Sequence, residues 1–461
     1  MDYSQLNTGL WNVIIQIGVI AGFILLANVL RKKISFVRNT LVPTAVLAGF
    51  MLLGLKYLFP ELIDEIFLEK LTYHALALGF IALSLRIPEK QNESTPGIAA
   101  KSGALIVSTY LVQAIVGLVI SLILAYTFMP ELFKASGILL PMAYGQGPGQ
   151  ANNVGTTYEA LGMQGGRSFG LSLAAAGYLC ACVVGVVFLN IYNRRGKLKR
   201  IKDKEFISGS VTIDTFQDKD EIPISESIDK FSVQIALVAM IYLFTFLVTW
   251  GLTALLGLIS EGIASTVSTL LWGFNFIIGS ALAIVVRTIM KNLRKFKLMN
   301  HQYQNNYLLS RISGLAFDLM IVAGIAGIRF EDLSGYWLPF ALMAVAGGIV
   351  TYLYLKAMCK KLYPGYENEG LFSMYGMLTG TISSGVLLLR EIDPEMKTPA
   401  SDNLVYGSSF GIIFGAPVLL VVSFAAKGEY NALISVGIVI VYLAVLFAIM
   451  FAKRKNEKDK K

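Results

Sequence analysis

The chain has 461 residues, of which 55% are hydrophobic and 15% are charged. Soluble domains carry about 25% charged residues, so this composition excludes an ordinary soluble protein and indicates a membrane protein with several spans. With two histidines and three cysteines, the chain offers no histidine-based metal site or catalytic triad. We therefore predict neither an enzyme nor a bound cofactor. The net charge of +9 follows from membrane topology, as described below, and does not indicate a nucleic-acid partner.

Apolar runs close to the bilayer-spanning length of about 20 residues recur in both halves of the sequence. In the first half, residues 1–192, the predicted spans are 10–30, 41–59, 71–85, 98–128 and 169–192. A glycine-rich stretch at 137–157 comes just before the fifth span. Residues 193–230 then form a long polar segment, which we interpret as a cytoplasmic linker.

The second half, residues 231–427, repeats this order of elements. Its predicted spans are 231–256, 263–286, 312–328, 336–355 and 405–425, and a glycine-rich stretch at 370–390 again precedes the fifth. Because a unit of five spans reverses its orientation when it is repeated, we predict two inverted repeats, each with a re-entrant, broken hairpin before its fifth helix. The remaining segment, 428–461, holds an extra span at 432–452 and a basic tail. The predicted fold class is an all-α polytopic membrane protein with about 11 transmembrane helices.

The charges orient these spans, because short cytoplasmic loops are enriched in Lys and Arg. With the N-terminus outside, the cytoplasmic loops and C-terminal tail contain the basic clusters 31–38, 86–101, 194–204, 287–297, 356–361 and 453–461. The external loops then contain only Lys56, Lys70, Lys134, Arg329 and Lys427. We therefore expect an external N-terminus and a cytoplasmic C-terminus. The first glycine-rich stretch then enters the membrane from outside and the second from the cytoplasm.

The two glycine-rich stretches contain the candidate site. The first includes Tyr144-Gly145-Gln146-Gly147-Pro148-Gly149-Gln150, and the second includes Tyr375-Gly376-Met377-Leu378-Thr379-Gly380-Thr381. Glycine and proline interrupt helices. In a membrane, interrupted backbone is tolerated only where it is buried in protein or lines a watery cavity. Two such breaks at matching places in two halves indicate the binding site of a transporter.

Broken helices supply two kinds of binding group. Helix N-termini offer N–H groups that favour a carboxylate, whereas carbonyl, hydroxyl and amide oxygens suit a hard cation such as sodium. For the substrate we predict Gly145, Gly147, Gly149, Asn152, Asn153, Gly376, Thr379, Gly380, Thr381 and Arg390. For the coupling ion we predict Asp318, Thr156, Thr157, Ser383 and Ser384. The alternative is that these small and hydroxylated residues only allow close helix packing.

Two residues of the predicted site are charged. Asp318 lies near the middle of its span, where ionisable groups are costly and usually functional. The alternative for Asp318 is an internal ion pair with Arg311. Arg390 is a candidate for binding a substrate carboxylate, and an ion pair with Glu391 at the edge of the loop is an equally good interpretation.

With these two stretches, the five-plus-five plan resembles the bacterial sodium:glutamate symporter family over residues 10–425. The loops depart from the Gly-Gly-x-Gly form of that family, and the eleventh span and long linker are further departures. The resemblance implies sodium-driven uptake of glutamate, an elevator-type alternating-access mechanism, a homodimer and a location in the bacterial inner membrane. Alternatives are sodium- or proton-coupled transport of another carboxylate, such as aspartate or citrate, or a channel or uniporter.

Overall fold

The computed structural model describes residues 8–34, 42–87, 96–194, 229–259, 268, 271–273, 275–393, 398–428 and 430–451. These residues form helices and no β-strand, in agreement with the all-α prediction. In chain order the α-helices are α1 Thr8–Lys33, α2 Thr44–Leu58, α3 Glu65–Leu85, α4 Pro96–Thr127, α5 Leu139–Tyr144, α6 Pro148–Ala160, α7 Gly166–Leu179, α8 Gly185–Arg194, α9 Lys230–Ile259, α10 Asn275–Lys295, α11 Asn306–Ala326, α12 Trp337–Leu362, α13 Glu367–Thr379, α14 Ile382–Arg390, α15 Ala400–Ala425 and α16 Asn431–Phe451. A π-helical turn, Cys180–Val184, joins α7 to α8.

Nine helices within the described ranges are long and apolar enough to cross a bilayer, and α7 continues into α8 as one of them. Helix α15 is a tenth candidate, which bends by 46° between Ser408 and Phe410. The prediction of a polytopic membrane protein is confirmed in this form. The number of spans in the described residues is nine or ten, against about 11 from the sequence.

The difference arises mainly at the second predicted span, 41–59. Helix α2 has 15 residues and begins at Thr44, because the residue before a proline disfavours helical backbone and Pro43 therefore marks the boundary. At 1.5 Å per residue α2 is about 22 Å long, which is shorter than the hydrocarbon core of about 30 Å. The predicted span 263–286 corresponds in part to α10, and residues 260–267 lie outside the described part of the chain.

The chain divides into two compact units. The first unit contains the described residues within Met1–Val13, Glu61–Lys90 and Asp203–Gly324, and so includes α3, α9, α10 and most of α11. Fully buried side chains from all four helices form its core: Ile81, Ile241, Ala283 and Leu309. Close packing depends on glycine, since a Cβ atom on Gly79 would lie 2.6 Å from the ring of Phe317.

The second unit contains the described residues within Ile14–Pro60, Gln91–Lys202 and Ile325–Lys461. Helix α4 is central to it, because α12, α15 and α16 all pack against α4. A Cβ atom on Gly103 of α4 would lie 3.0 Å from the carbonyl oxygen of Gly407 of α15. Farther along α4, a Cβ atom on Gly117 would overlap the carbonyl oxygen of Gly137. The segment that leads into α5 therefore packs directly on the backbone of α4.

Each compact unit draws helices from both predicted halves of the sequence. The first unit combines α3 with α9, α10 and most of α11, and the second combines most of α1, α2 and α4–α8 with α12–α16. The units therefore do not follow the boundaries at residues 192 and 231. The two inverted repeats are a different kind of division, and they stay a prediction.

Candidate functional site

The first glycine-rich stretch contains a helix break. Helix α5 ends at Tyr144, and α6 begins at Pro148, the first position of a helix, where proline is well suited. Gly147 between them has φ +84°, in the left-handed region that favours glycine. Gly145 packs so closely on the ring of Tyr110 of α4 that any Cβ atom would overlap it. The helical backbone is therefore interrupted within the stretch 137–157.

The second stretch contains a helix break of a different shape. Helix α13 ends before Gly380, which has φ −140° and ψ −104°, and α14 begins after Thr381. The two helices then pack against each other in opposite directions. A Cβ atom on Gly376 would lie 2.9 Å from the Cα atom of Gly385, and one on Gly385 would overlap the carbonyl oxygen of Ser373. The stretch 370–390 is therefore a tight helical hairpin with Gly380 and Thr381 at its tip.

The two breaks lie beside each other in the second unit, although they are far apart in the sequence. A Cβ atom on Gly147 would lie 3.7 Å from the carbonyl oxygen of Gly380 and 3.9 Å from Cγ2 of Thr381. Helix α7 closes the neighbouring side, because Gly177 approaches the carbonyl oxygen of Thr379 without room for a side chain. Four predicted site residues, Gly147, Thr379, Gly380 and Thr381, are thus brought together.

Helix termini meet at this point and give it a polar character. The N-termini of α6 and α14 both begin at the breaks, and neither has a side chain that caps its free N–H groups. Helix N-termini carry a partial positive charge and favour an anion. The C-terminus of α13 ends at the same tip and presents carbonyl oxygens with a partial negative charge. The breaks therefore offer groups for both an anion and a cation.

Buried polar side chains beside the breaks have no hydrogen-bond partner among the described residues. Gln150, in the first turn of α6, is 2% exposed, and both its amide nitrogen and its amide oxygen are unpartnered. Ser384, in the first turn of α14, is also 2% exposed, and its Oγ is unpartnered, as is the buried Oγ1 of Thr381. Leaving buried polar groups unpaired costs about 1–3 kcal/mol each, so such groups indicate a ligand.

Gln150 was not among the residues predicted from the sequence. The glycine-rich motif included it, but a glutamine in a helix gives no local signal of function. The signal is its burial without a partner, which only the packed structure reveals.

The asparagines predicted after the first break form a buried polar cluster with Arg167. Asn152 is buried, and its Oδ1 accepts a hydrogen bond of 2.9 Å from Nε of Arg167. Asn152 also approaches Oδ1 of the neighbouring Asn153 at 3.5 Å. Arg167 itself is 9% exposed, and its backbone N–H donates to Oε1 of Glu159 at 3.0 Å. Gly155 makes this arrangement possible, because a Cβ atom there would lie 2.6 Å from the Cα atom of Arg167.

Arg167 is a second residue that sequence reasoning did not place in the site. It lies two residues before the fifth predicted span, beside the link that follows the first glycine-rich stretch. The arginine that was predicted, Arg390, ends α14, and its side chain lies outside the described part of the chain. The same holds for the side chain of Ser383.

The residues predicted for the coupling ion are distributed over both units. Thr156 and Thr157 lie half-buried on α6, where the Thr157 hydroxyl donates to the carbonyl oxygen of Asn153 at 2.8 Å. Thr379, which was predicted for the substrate, makes the same kind of bond to the carbonyl oxygen of Tyr375, at 2.8 Å. Both hydroxyl oxygens keep lone pairs that can still coordinate a cation. Asp318 belongs to the first unit, where its side chain on α11 is exposed.

The candidate site in the second unit is built from hydroxyl and carbonyl oxygens, amide groups and helix termini, with the guanidinium of Arg167 bonded to Asn152. Within the described ranges, no group of three or more His, Cys, Asp and Glu side chains could hold a metal ion. Comparison of the chain with protein-family models, curated proteins and solved structures finds no match.

Proposed function

We propose that this chain is a secondary active transporter that couples the inward movement of sodium to the uptake of a small carboxylate. One observation carries the proposal: two helix breaks from distant parts of the sequence adjoin each other, with Gly147 next to Gly380 and Thr381. Paired helix breaks at one place are characteristic of transporter binding sites. L-Glutamate is the first candidate substrate, because the two glycine-rich stretches and the five-plus-five plan resemble the sodium:glutamate symporter family.

The two helix N-termini supply the rationale for a carboxylate. The first turns of α6 and α14 contain free backbone N–H groups, and a carboxylate can accept hydrogen bonds from them without a charged side chain. Gln150 in the first turn of α6 adds a side-chain N–H donor and a carbonyl acceptor. Glycines at 147 and 149 allow the backbone to approach the ligand closely.

Sodium suits the remaining groups. A hard monovalent cation is coordinated well by carbonyl and hydroxyl oxygens, which the end of α13 and the hydroxyls of Thr381 and Ser384 provide. Transport then requires that the site be reached alternately from each side. The inverted repeat predicted from the sequence would give one break access from outside and the other from the cytoplasm. In an elevator-type mechanism, the second unit would be the substrate carrier because it holds both breaks.

Uptake of labelled L-glutamate into proteoliposomes, with and without an inward sodium gradient, tests the proposal. We expect sodium-dependent accumulation by the wild type and at least a tenfold lower initial rate for Gly147→Val, because a larger side chain at Gly147 is strained and projects toward Gly380. Gly162→Val is the matched control. Gly162 also has positive φ, +103°, but nothing lies within 4 Å of its Cβ position, so glutamate uptake should persist.

The possible results test the substrate, the binding site and the coupling to sodium separately. Sodium-driven uptake of aspartate or citrate instead of glutamate would retain a carboxylate transporter and reject the substrate. Equal uptake by Gly147→Val and Gly162→Val would reject the breaks as the site. Downhill flux without accumulation under a sodium gradient would indicate a channel or uniporter and reject coupled transport.

A further inference from the structure

Gln113 of α4 connects three helices at the second break. Its amide nitrogen donates to the carbonyl oxygen of Leu378, in the last turn of α13, and to Oγ1 of Thr351 on α12, both at 2.9 Å. The side chain is 1% exposed. Gln113 therefore satisfies one of the carbonyl groups that the end of α13 leaves without an intrahelical partner.

The bond to Leu378 also fixes which way the amide faces. A backbone carbonyl can only accept a hydrogen bond, so the amide group next to Leu378 must be the nitrogen. The other amide atom, Oε1 of Gln113, then has a defined position, and it has no hydrogen-bond partner among the described residues. It is a buried acceptor beside the negative end of a helix of 13 residues. This combination of acceptors attracts a positively charged ligand.

A second unpartnered oxygen lies against the same turn of α13. A Cβ atom on Gly380 would lie 2.9 Å from Oγ of Ser384 and 3.1 Å from the carbonyl oxygen of Gly376. Ser384 Oγ is buried and has no partner in the described chain. Two side-chain oxygens, from α4 and α14, therefore lie against the last turn of α13.

We propose that the C-terminal turn of α13 is a sodium site, in which Gln113 Oε1, Ser384 Oγ and the final backbone carbonyls of α13 coordinate the ion. None of these ligands is charged, and divalent hard cations are usually held by carboxylates. The chemistry therefore favours a monovalent cation. This site rests on the proposed sodium coupling and gives it specific ligands. One of these ligands, Oε1 of Gln113, comes from α4, which is not part of either break.

Binding of sodium alone, without any substrate, tests this site. The full-length protein is purified in detergent without sodium, and its unfolding temperature is measured against sodium chloride, with choline chloride keeping the ionic strength constant. A ligand that binds only the folded state raises the unfolding temperature in a saturable way. We expect this for the wild type, and we expect Gln113→Met to raise the half-saturating sodium concentration at least fivefold.

Thr351→Val is the matched control, because it removes the same hydrogen bond between Gln113 and Thr351 but leaves Oε1 of Gln113 in place. It should lower the unfolding temperature in choline while leaving the half-saturating sodium concentration within twofold of wild type. If Gln113 had a purely structural role, Gln113→Met would also lower the unfolding temperature in choline and leave the half-saturating sodium concentration within twofold of wild type. If Gln113→Met does not fold, Gln113→Asn, which withdraws the oxygen by one methylene, should give the same rise in half-saturation.

The outcomes also separate this site from the proposed function. A wild type that sodium does not stabilise, or a Gln113→Met variant with unchanged half-saturation, overturns the site even if sodium-driven glutamate uptake is found. Sodium stabilisation that depends on Gln113 supports the site even if the transported substrate is not glutamate.

Discussion

At the scale of single residues, buried glutamines distinguish the breaks from the packed helices around them. Gln234 in the first unit is fully buried, and both of its amide atoms have hydrogen-bond partners. Its nitrogen donates to the carbonyl oxygen of Tyr303, and its Oε1 accepts from the backbone N–H of Asn305. Gln150 is almost as buried, yet neither of its amide atoms has a partner in the described chain. Buried polar groups are normally paired, so the unpartnered amide of Gln150 indicates a ligand. A bound carboxylate would accept a hydrogen bond from its nitrogen.

We expect Gln150→Met to raise the KM for glutamate about tenfold at saturating sodium. A hydrogen bond to a charged group contributes about 1.5–3 kcal/mol, and 1.4 kcal/mol corresponds to a factor of ten in affinity. Methionine keeps the size of the side chain, so the packing of α6 should survive. The measurement is the initial rate of uptake in proteoliposomes at several glutamate concentrations.

Gln234→Met provides the comparison, because it removes hydrogen bonds that are satisfied within the protein. It should reduce the unfolding temperature and leave the KM unchanged. If Gln150→Met transports glutamate with the wild-type KM, Gln150 does not contact the substrate.

The residues that sequence analysis could identify are those whose role is local. Gly147 needs positive φ and Gly380 ends a helix, and both properties follow from the lack of a side chain. Gln113, Gln150 and Arg167 could not be identified in this way. Their burial and bonding depend on contacts with other helices, which no local pattern in the sequence specifies.

At the scale of elements, the hairpin formed by α13 and α14 depends on two glycines that face each other. Gly376 and Gly385 allow the backbones to approach closely, with the Cβ position of Gly376 2.9 Å from Cα of Gly385. Such close approach between helices is typical of small residues in membranes. The hairpin presents Thr381 and Ser384 at its tip, so its packing fixes the geometry of the proposed site.

We expect Gly385→Val to destabilise the protein by about 1–3 kcal/mol, the usual cost of overpacking. A Cβ atom at this position would overlap the carbonyl oxygen of Ser373, and backbone cannot move aside as a flexible side chain can. The measurement is the unfolding temperature in detergent, together with sodium-driven uptake, which should fall as well.

Gly437→Val is the matched control for the hairpin variant, because nothing lies within 4 Å of the Cβ position of Gly437 in α16. Both variants add the same β-branched residue to a helix, so any loss that comes from helix propensity is shared. A hairpin variant no less stable than Gly437→Val would contradict the packing described for α13 and α14.

Hydropathy predicted most of the elements, and the exceptions have local causes. Apolar runs gave the long spans because burial in lipid requires about 20 such residues. Hydropathy gave no sign of the helix boundary at Pro43, so the predicted span 41–59 is longer than α2. It also gave no sign of the 46° bend in α15 or of the π-helical turn after α7. These features depend on backbone geometry within runs that remain apolar throughout.

At the scale of the whole molecule, the order of spans along the chain does not reveal which of them pack together. The first unit joins α3 to α9–α11, so it crosses the boundary between the predicted halves. Asp318 illustrates the consequence. It was grouped with the breaks because it is charged and lies within a span, yet it belongs to the first unit, whereas both breaks belong to the second. Its proposed role in ion coupling remains a prediction that the structure does not test.

The inverted relation predicted for the two halves has a consequence for the side of the membrane that each turn faces. The turn between α6 and α7 and the turn between α14 and α15 occupy matching places in the two halves. If the halves are inverted, these turns face opposite sides of the membrane. The distribution of Lys and Arg predicts that the first turn lies outside and the second in the cytoplasm.

Leu161→Cys and Pro399→Cys place a thiol in each turn at an exposed position. In intact cells, a membrane-impermeant maleimide should label Leu161→Cys and should label Pro399→Cys only after permeabilisation. The wild type, whose Cys182 and Cys359 are buried and whose Cys180 is partly buried, gives the background. Labelling of both variants from the same side would mean that the two halves share one orientation. The breaks would then open toward one face of the membrane, and alternating access through them would lose its structural basis.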